Sequence, residues 1–172
     1  MRYFKRNLLY PPHNRKSDTK TLRGVRDAYV EQLKSIRSRL PDGAWKLACH
    51  MFHDARVVSV SRPAKRELVI TLDGAYWGCG YDFIKDQLLG SRFTRLHFSG
   101  VKKDWVPDTI VGDDWLNEEM SLSEIARFDY QVLLWKDEIR IQADDVSIEA
   151  SDNLELLTLH HANTARARLD EV

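Results

Sequence analysis

Between Cys49 and Asp54 the chain reads Cys-His-Met-Phe-His-Asp, its densest run of side chains able to bind a metal or move a proton. On a helix, Cys49 and His53 stand four residues apart and face the same way, as paired metal ligands do. Cys79 or His97 would supply the further ligand such a site requires. The sequence offers no second closely spaced pair, and His50 would point elsewhere. A His53–Asp54 pair that caps and orients a helix-to-strand junction accounts for the same residues. The sequence therefore assigns no metal and no cofactor.

Asp113, Asp114, Glu118 and Glu119 surround Trp115. Paired carboxylates cleave glycosidic bonds or hold divalent cations. On a strand, however, Asp114 and Glu118 share one face and Asp113 and Glu119 the other, so no single catalytic pair results. A solvated, charged strand edge is the plainer reading. An acidic rim around an exposed Trp is also the composition of a protein-binding patch. Asp113, Asp114, Trp115, Glu118 and Glu119 are accordingly the candidate partner-binding residues.

The run Gly74 to Asp82 mixes three glycines with Tyr76, Trp77 and Tyr81. Such a segment can line a small-molecule site, and with the nearby pair it gives an alternative ligand-binding set of His53, Asp54, Tyr76, Trp77 and Tyr81. Glycines also serve turns and bulges, and aromatics fill cores. The run is not a phosphate loop, because no Lys-Ser/Thr follows it, and no Gly-x-Ser-x-Gly elbow is present. No catalytic residue is assigned. A metal-dependent phosphohydrolase is excluded, since it needs further His and Asp on helices and this His-Asp pair opens a strand.

The 172 residues, 43% hydrophobic and 30% charged with five Trp, exclude a disordered chain, a collagen and a coiled-coil rod. No apolar run approaches the ~18 residues of a membrane helix, and the first ten residues are too polar for a signal peptide. Two cysteines make no disulfide framework, so a reducing, cytoplasmic setting is expected. The net charge of zero hides a gradient: residues 1–40 carry eleven Lys/Arg against three Asp/Glu, and residues 101–172 carry seven against seventeen. The plain expectation is that the basic N-terminal part lies near the acidic half of the same fold. The basic residues come without Gly-rich, aromatic-interleaved or zinc-knuckle motifs, which disfavours nucleic acid.

The elements that must carry these residues follow from periodicity. Leu22, Val25, Tyr29, Leu33, Ile36 and Leu40 make one stripe of an amphipathic helix capped near Ser17, Asp18 or Thr19. A second helix is expected over Ala44–Phe52. Val58 with Val60, then Leu68, Ile70 and Leu72, then Leu96 with Phe98, alternate as strands. Leu116, Glu118, Met120 and Leu122 share a face opposite Trp115 and Glu119. Phe128 to Leu134 and Ile139 to Ala143 alternate likewise around a turn at Lys136–Asp137. Parity then shifts to Val146, Ile148 and Ala150, which predicts a bulge or sharp bend near Asp144–Asp145. The fold class is α+β: two N-terminal helices packed on an antiparallel sheet of about six strands, with a short C-terminal helix over Leu154–His161. Residues 1–150 are expected to form one domain and 151–172 a C-terminal extension.

The opening Met1-Arg-Tyr-Phe4, the junction from Leu40–Pro41 to Phe52-His-Asp-Ala-Arg-Val57, the acidic Gly112 to Glu119 and the closing Ala143-Asp-Asp-Val146 together resemble a family of uncharacterised bacterial proteins of unknown function. The resemblance spans most of Met1–Glu149 and implies a bacterial origin, with no activity to carry over. The sequence thus points to a non-enzymatic cytoplasmic domain that binds a basic protein partner through its acidic half, for instance as an immunity-like protein masking a toxin. The alternative is a small-ligand binder or enzyme built on residues 74–82 with His53 and Asp54. Oligomeric state is left open.

Overall fold

The structure, a computed structural model, describes residues 1–9, 19–74, 77–78 and 91–155. Its helices precede its main strands: a single turn α1 (Arg6–Leu9), the long α2 (Thr19–Ile36) and α3 (Asp42–Ala48). The stripe of α2 is buried in its second half, at Tyr29 and Leu33, and at Leu40 beyond its end. Leu22 and Val25 nearer its start are only half-buried. Helix α3 stops at Ala48 rather than continuing to Phe52. The Cys49 N–H closes the last turn on the carbonyls of Trp45 and Lys46 at 3.1 and 3.0 Å, and the next residue is already extended.

Ten strands follow: β1 (His50–Met51), β2 (Ala55–Ser61), β3 (Glu67–Asp73), β4 (Trp77–Gly78), β5 (Phe93–Ser99), β6 (Lys103–Trp105), β7 (Asp114–Ser121), β8 (Phe128–Leu134), β9 (Glu138–Ala143) and β10 (Asp145–Ser151). Strands β1 and β4 pair with each other, and the other eight form one antiparallel sheet in the order β10-β5-β3-β2-β7-β8-β9-β6. The fold is therefore α+β, with eight strands in the sheet where about six were expected. Strand β6 escaped the sequence reading because Lys-Asp-Trp has no apolar alternation.

Strands β9 and β10 lie near opposite ends of that order, yet only Asp144 separates them. The two ends of the sheet approach each other there, so the sheet rolls up around a single core as an open barrel, which no strand ladder closes among the described residues. The predicted bend falls at this closure. The Asp144 N–H bonds the Ser99 carbonyl at 3.1 Å, and its carboxylate meets Lys102 at 2.8 Å. Gly100 at φ 63° allows the approach, since a Cβ there would lie 2.6 Å from the Asp144 carboxylate. Helix α3 packs on β10 and β7, and α2 packs on β7.

Trp115, Tyr130, Phe52, Phe98 and Phe128 are the largest fully buried side chains. Two bulges re-aim side chains relative to simple alternation. In β2 the register shifts between Val57 and Ser59, which buries Ala55 and Val57 and leaves Val58 and Val60 half-buried. In β7 it shifts between Trp115 and Asn117, which turns Trp115 inward although it was expected on the face opposite Met120. Among the described residues no helix is long and apolar enough to cross a membrane. The predicted caps Ser17 and Asp18, and all but the first two residues of the predicted C-terminal helix, lie outside the described residues.

Candidate functional site

Strand β7 carries four of the five predicted partner-binding residues, and Asp113 immediately precedes it. The fold disperses this acidic run into separate internal roles. Asp113 is buried: one carboxylate oxygen accepts the Asp114 N–H and the other the Lys136 N–H, each at 3.0 Å, which ties the start of β7 to the β8–β9 turn. The expected exposed tryptophan is instead fully buried, with its ring edge-on to Phe52 at 6.0 Å and tilted to Tyr130 at 6.2 Å. The Trp115 indole N–H donates to Glu118 Oε2 at 3.0 Å. Burial pushes the Glu118 carboxyl up to about 7, opposed in part by the Trp115 indole and the Phe52 backbone. Glu119 points the other way and grips the N-terminal segment. It accepts the N–H groups of Arg2 at 2.7 Å and Tyr3 at 2.5 Å, and that of Phe4 as well. Only Asp114 stays partly open, with a side chain 42% exposed and 3.3 Å from Arg56 Nε.

The N-terminal segment answers with Arg6. Its guanidinium donates to the carbonyls of Trp135 at 2.6 Å, Leu134 at 2.7 Å and Asp137 at 3.2 Å. The basic start and the acidic half do meet within one chain. Among the described residues they meet through backbone groups, a carboxylate holding amides and a guanidinium holding carbonyls.

His53 and Asp54 hang on the same strand. His53 Nδ1 lies 2.6 Å from the Leu116 carbonyl, to which it donates its N–H. The Asp54 N–H donates to the Trp115 carbonyl at 2.8 Å, and its φ of 65° makes it the sharp turn into β2. Asp54 is 81% exposed, and its carboxylate is 3.7 Å from His53 Nε2. His53–Asp54 and the start of β7 thus share one end of the barrel. Trp135, 56% exposed, and Val111, 50% exposed, belong to this end too. The Trp135 N–H donates to the Asp114 carbonyl at 2.9 Å, and Val111 stands two residues before Asp113. The sequence reading missed Trp135; its signal was a large aromatic placed in a turn, where no core needs it.

Of the alternative ligand set, Tyr76 and Tyr81 lie outside the described residues, as does Cys79. The backbone register pairs Trp77 with Met51, two residues before His53. Cys49 and His53 are not helical neighbours, because α3 ends at Ala48 and His50 already belongs to β1, and Cys49 is buried. Among the described residues no group of three or more His, Cys, Asp or Glu gathers as metal ligands do.

A second charged cluster, unread in the sequence, lies across β10, β5 and β3. Register places Arg95 between Glu149 and Thr71, and His97 beside Val69. Arg95 Nη1 is 3.5 Å from Glu149, and His97 Nε2 is 3.5 Å from Glu67. Burial lowers the Arg95 guanidinium, against the opposing pull of Glu149. These side chains alternate with the core residues Leu96 and Phe98 and so occupy the other face of β5.

No curated protein and no solved structure matches the chain significantly. The resemblance read from the motifs is recovered over most of its length, and by the match of residues 11–139 to the family model the chain belongs to the family described as Protein of unknown function (DUF4085).

Proposed function

We propose that the chain is a non-enzymatic protein-binding domain whose docking surface is the barrel end around Trp135. The observation that carries this is an exposed tryptophan on a turn fixed from three sides. Asp114 holds its N–H, the Asp113 carboxylate holds the next amide, and Arg6 holds its carbonyl. An aromatic anchor presented by a rigid backbone loses little freedom on binding, which is the character of an interface hot spot. The exposed carboxylates of Asp54 and Asp137 and the half-open Asp114 lie toward the same end of the sheet, and the chain beyond Val101 is strongly acidic. A basic partner suits that rim, and masking a basic toxin or nuclease in the manner of an immunity protein is the concrete form. The acidic residues that can act are thus Asp54, Asp114 and Asp137 rather than Asp113, Glu118 and Glu119, whose carboxylates are committed inside.

The test is affinity capture from host lysate at low and high salt with wild type, Trp135→Ala and the Asp54→Lys/Asp114→Lys double variant. The expected result is a basic protein retained by wild type, released by salt, and lost by at least tenfold with Trp135→Ala. Retention by Trp135→Ala at wild-type strength overturns the reading. A second reading, a small-ligand site of His53 and Asp54 with the aromatic-glycine segment, draws on the Met51–Trp77 pairing. Saturable binding of a small molecule, lost in His53→Ala, would favour it instead.

A further inference from the structure

Among the buried polar atoms that no described group satisfies are Glu118 Oε1 and the Tyr130 hydroxyl. Both face the core from adjacent strands, Glu118 opposite Val132 and Tyr130 opposite Met120. Inside a protein an orphaned polar atom costs ~1–3 kcal/mol, and an ionised carboxylate costs more. Burial therefore favours the neutral carboxyl. Three elements present groups to the pair. From α2 comes Tyr29, from the connection between β1 and β2 the Phe52 amide, and from β7 itself the Trp115 indole. None is a cation that could pair with a buried carboxylate.

Among the described residues, Tyr29 and the N-terminal segment form a roof beside this spot. The Tyr29 hydroxyl accepts the Met120 N–H at 2.8 Å, two residues along from Glu118. The rings of Tyr3 and Phe4 rest on Tyr29 with centroids 5.5 and 5.2 Å away. Their backbone is held in turn by Glu119. Trp115, Phe52 and Tyr130, by contrast, are locked among sheet and core. Tyr29 and the N-terminal segment are thus the part of this covering that lies outside the sheet.

We propose that Glu118 operates a proton-controlled latch, in which the protonated carboxyl keeps the roof of Tyr29, Tyr3 and Phe4 closed and its ionisation opens it. The direction follows from linkage. Below the ordinary carboxyl range both states are protonated and the roof is at its tightest. Between that range and the raised value of the closed state, only the open state releases the proton, so opening grows by up to about tenfold per pH unit. Above it both are ionised and opening levels off. This device stands apart from the partner-binding reading and depends on none of its residues.

Amide hydrogen exchange of the full chain, corrected for intrinsic rates at about pH 5 and about pH 7.5, tests it alongside Glu118→Gln. Gln keeps an acceptor for Trp115 but carries no proton to lose. The expected result is opening of residues 1–9, 19–36 and the Met120 amide that rises on the order of a hundredfold in wild type. It should stay flat in Glu118→Gln, and in wild type at about pH 7.5 these amides should open more readily than those of β8 and β9, whose exchange reports global unfolding. Infrared spectroscopy of folded wild type near pH 6 should show a protonated buried acid absent from the variant. Equal pH dependence in both proteins, or roof amides that open no more readily than those of β8 and β9, overturns the latch. Should Glu118→Gln fail to fold, the wild-type pattern and the infrared band decide alone, and absence of that band overturns the proposal.

Discussion

Glu118 and Glu119 are neighbours with opposite duties, and side-chain alternation on β7 alone explains the split. Glu119 faces outward under the N-terminal segment, where three amides compensate its charge. Removing it in Glu119→Ala should lower stability by about 1–3 kcal/mol, seen as an earlier urea midpoint, and expose the first residues to protease. Glu119→Gln, which retains an acceptor, should lose less. Glu118 faces inward, and its raised value makes the folded state hold a proton that the unfolded state gives up. Global stability should therefore be highest near pH 5 and fall toward pH 7, by up to about 1.4 kcal/mol per unit, while Glu118→Gln shows little slope. A wild-type urea midpoint that rises across that window would contradict this assignment. Arg140 offers a third case. Its Nε lies 2.9 Å from both carboxylate oxygens of the buried Asp129, so Arg140→Ala should cost about 1–3 kcal/mol by stranding that charge.

At the scale of elements, the helices differ in how closely they meet the sheet. Helix α3 lies so near β10 that a Cβ at Gly43 would come within 1.7 Å of the Val146 carbonyl, which is backbone and cannot step aside. Gly43→Ala should destabilise by about 1–3 kcal/mol. Gly24, in the loosely packed start of α2, has nothing within 4 Å of such an atom, and Gly24→Ala should stabilise by up to about 1 kcal/mol. Opposite signs in thermal melts of these two variants are the check. The helical stripe through Tyr29 and Leu33 and the alternations of β3, β5, β8 and β9 were legible in the sequence, because each lines the core with a regular apolar face. The bulges in β2 and β7 were not. An extra residue in one strand is defined only by its partner strand, so Val57 and Trp115 were placed on the wrong side. The end of α3 was also misread, because the apolar Met51 and Phe52 continue a helical pattern that the pairing of β1 with β4 interrupts.

For the whole molecule, closure at Asp144 ties both ends of the sheet into one core shared by α2, α3 and every long strand. Chemical unfolding followed by far-ultraviolet circular dichroism and by tryptophan fluorescence should give one coincident transition, and separated midpoints would show that the ends of the sheet unfold independently. The sequence by itself determined the α+β class, the antiparallel pairing, the break in parity at Asp144 and the family, since all of these rest on local periodicity and motif. It also registered a basic start and an acidic finish, but not how they meet. Only the tertiary structure decided what each carboxylate does. Whether a strand residue faces core, neighbour or water depends on what packs over it, and the covering of β7 comes from a segment more than a hundred residues away. That distant contact turned an apparent acidic patch into a set of internal clamps and left the exposed aromatic at Trp135 instead of Trp115.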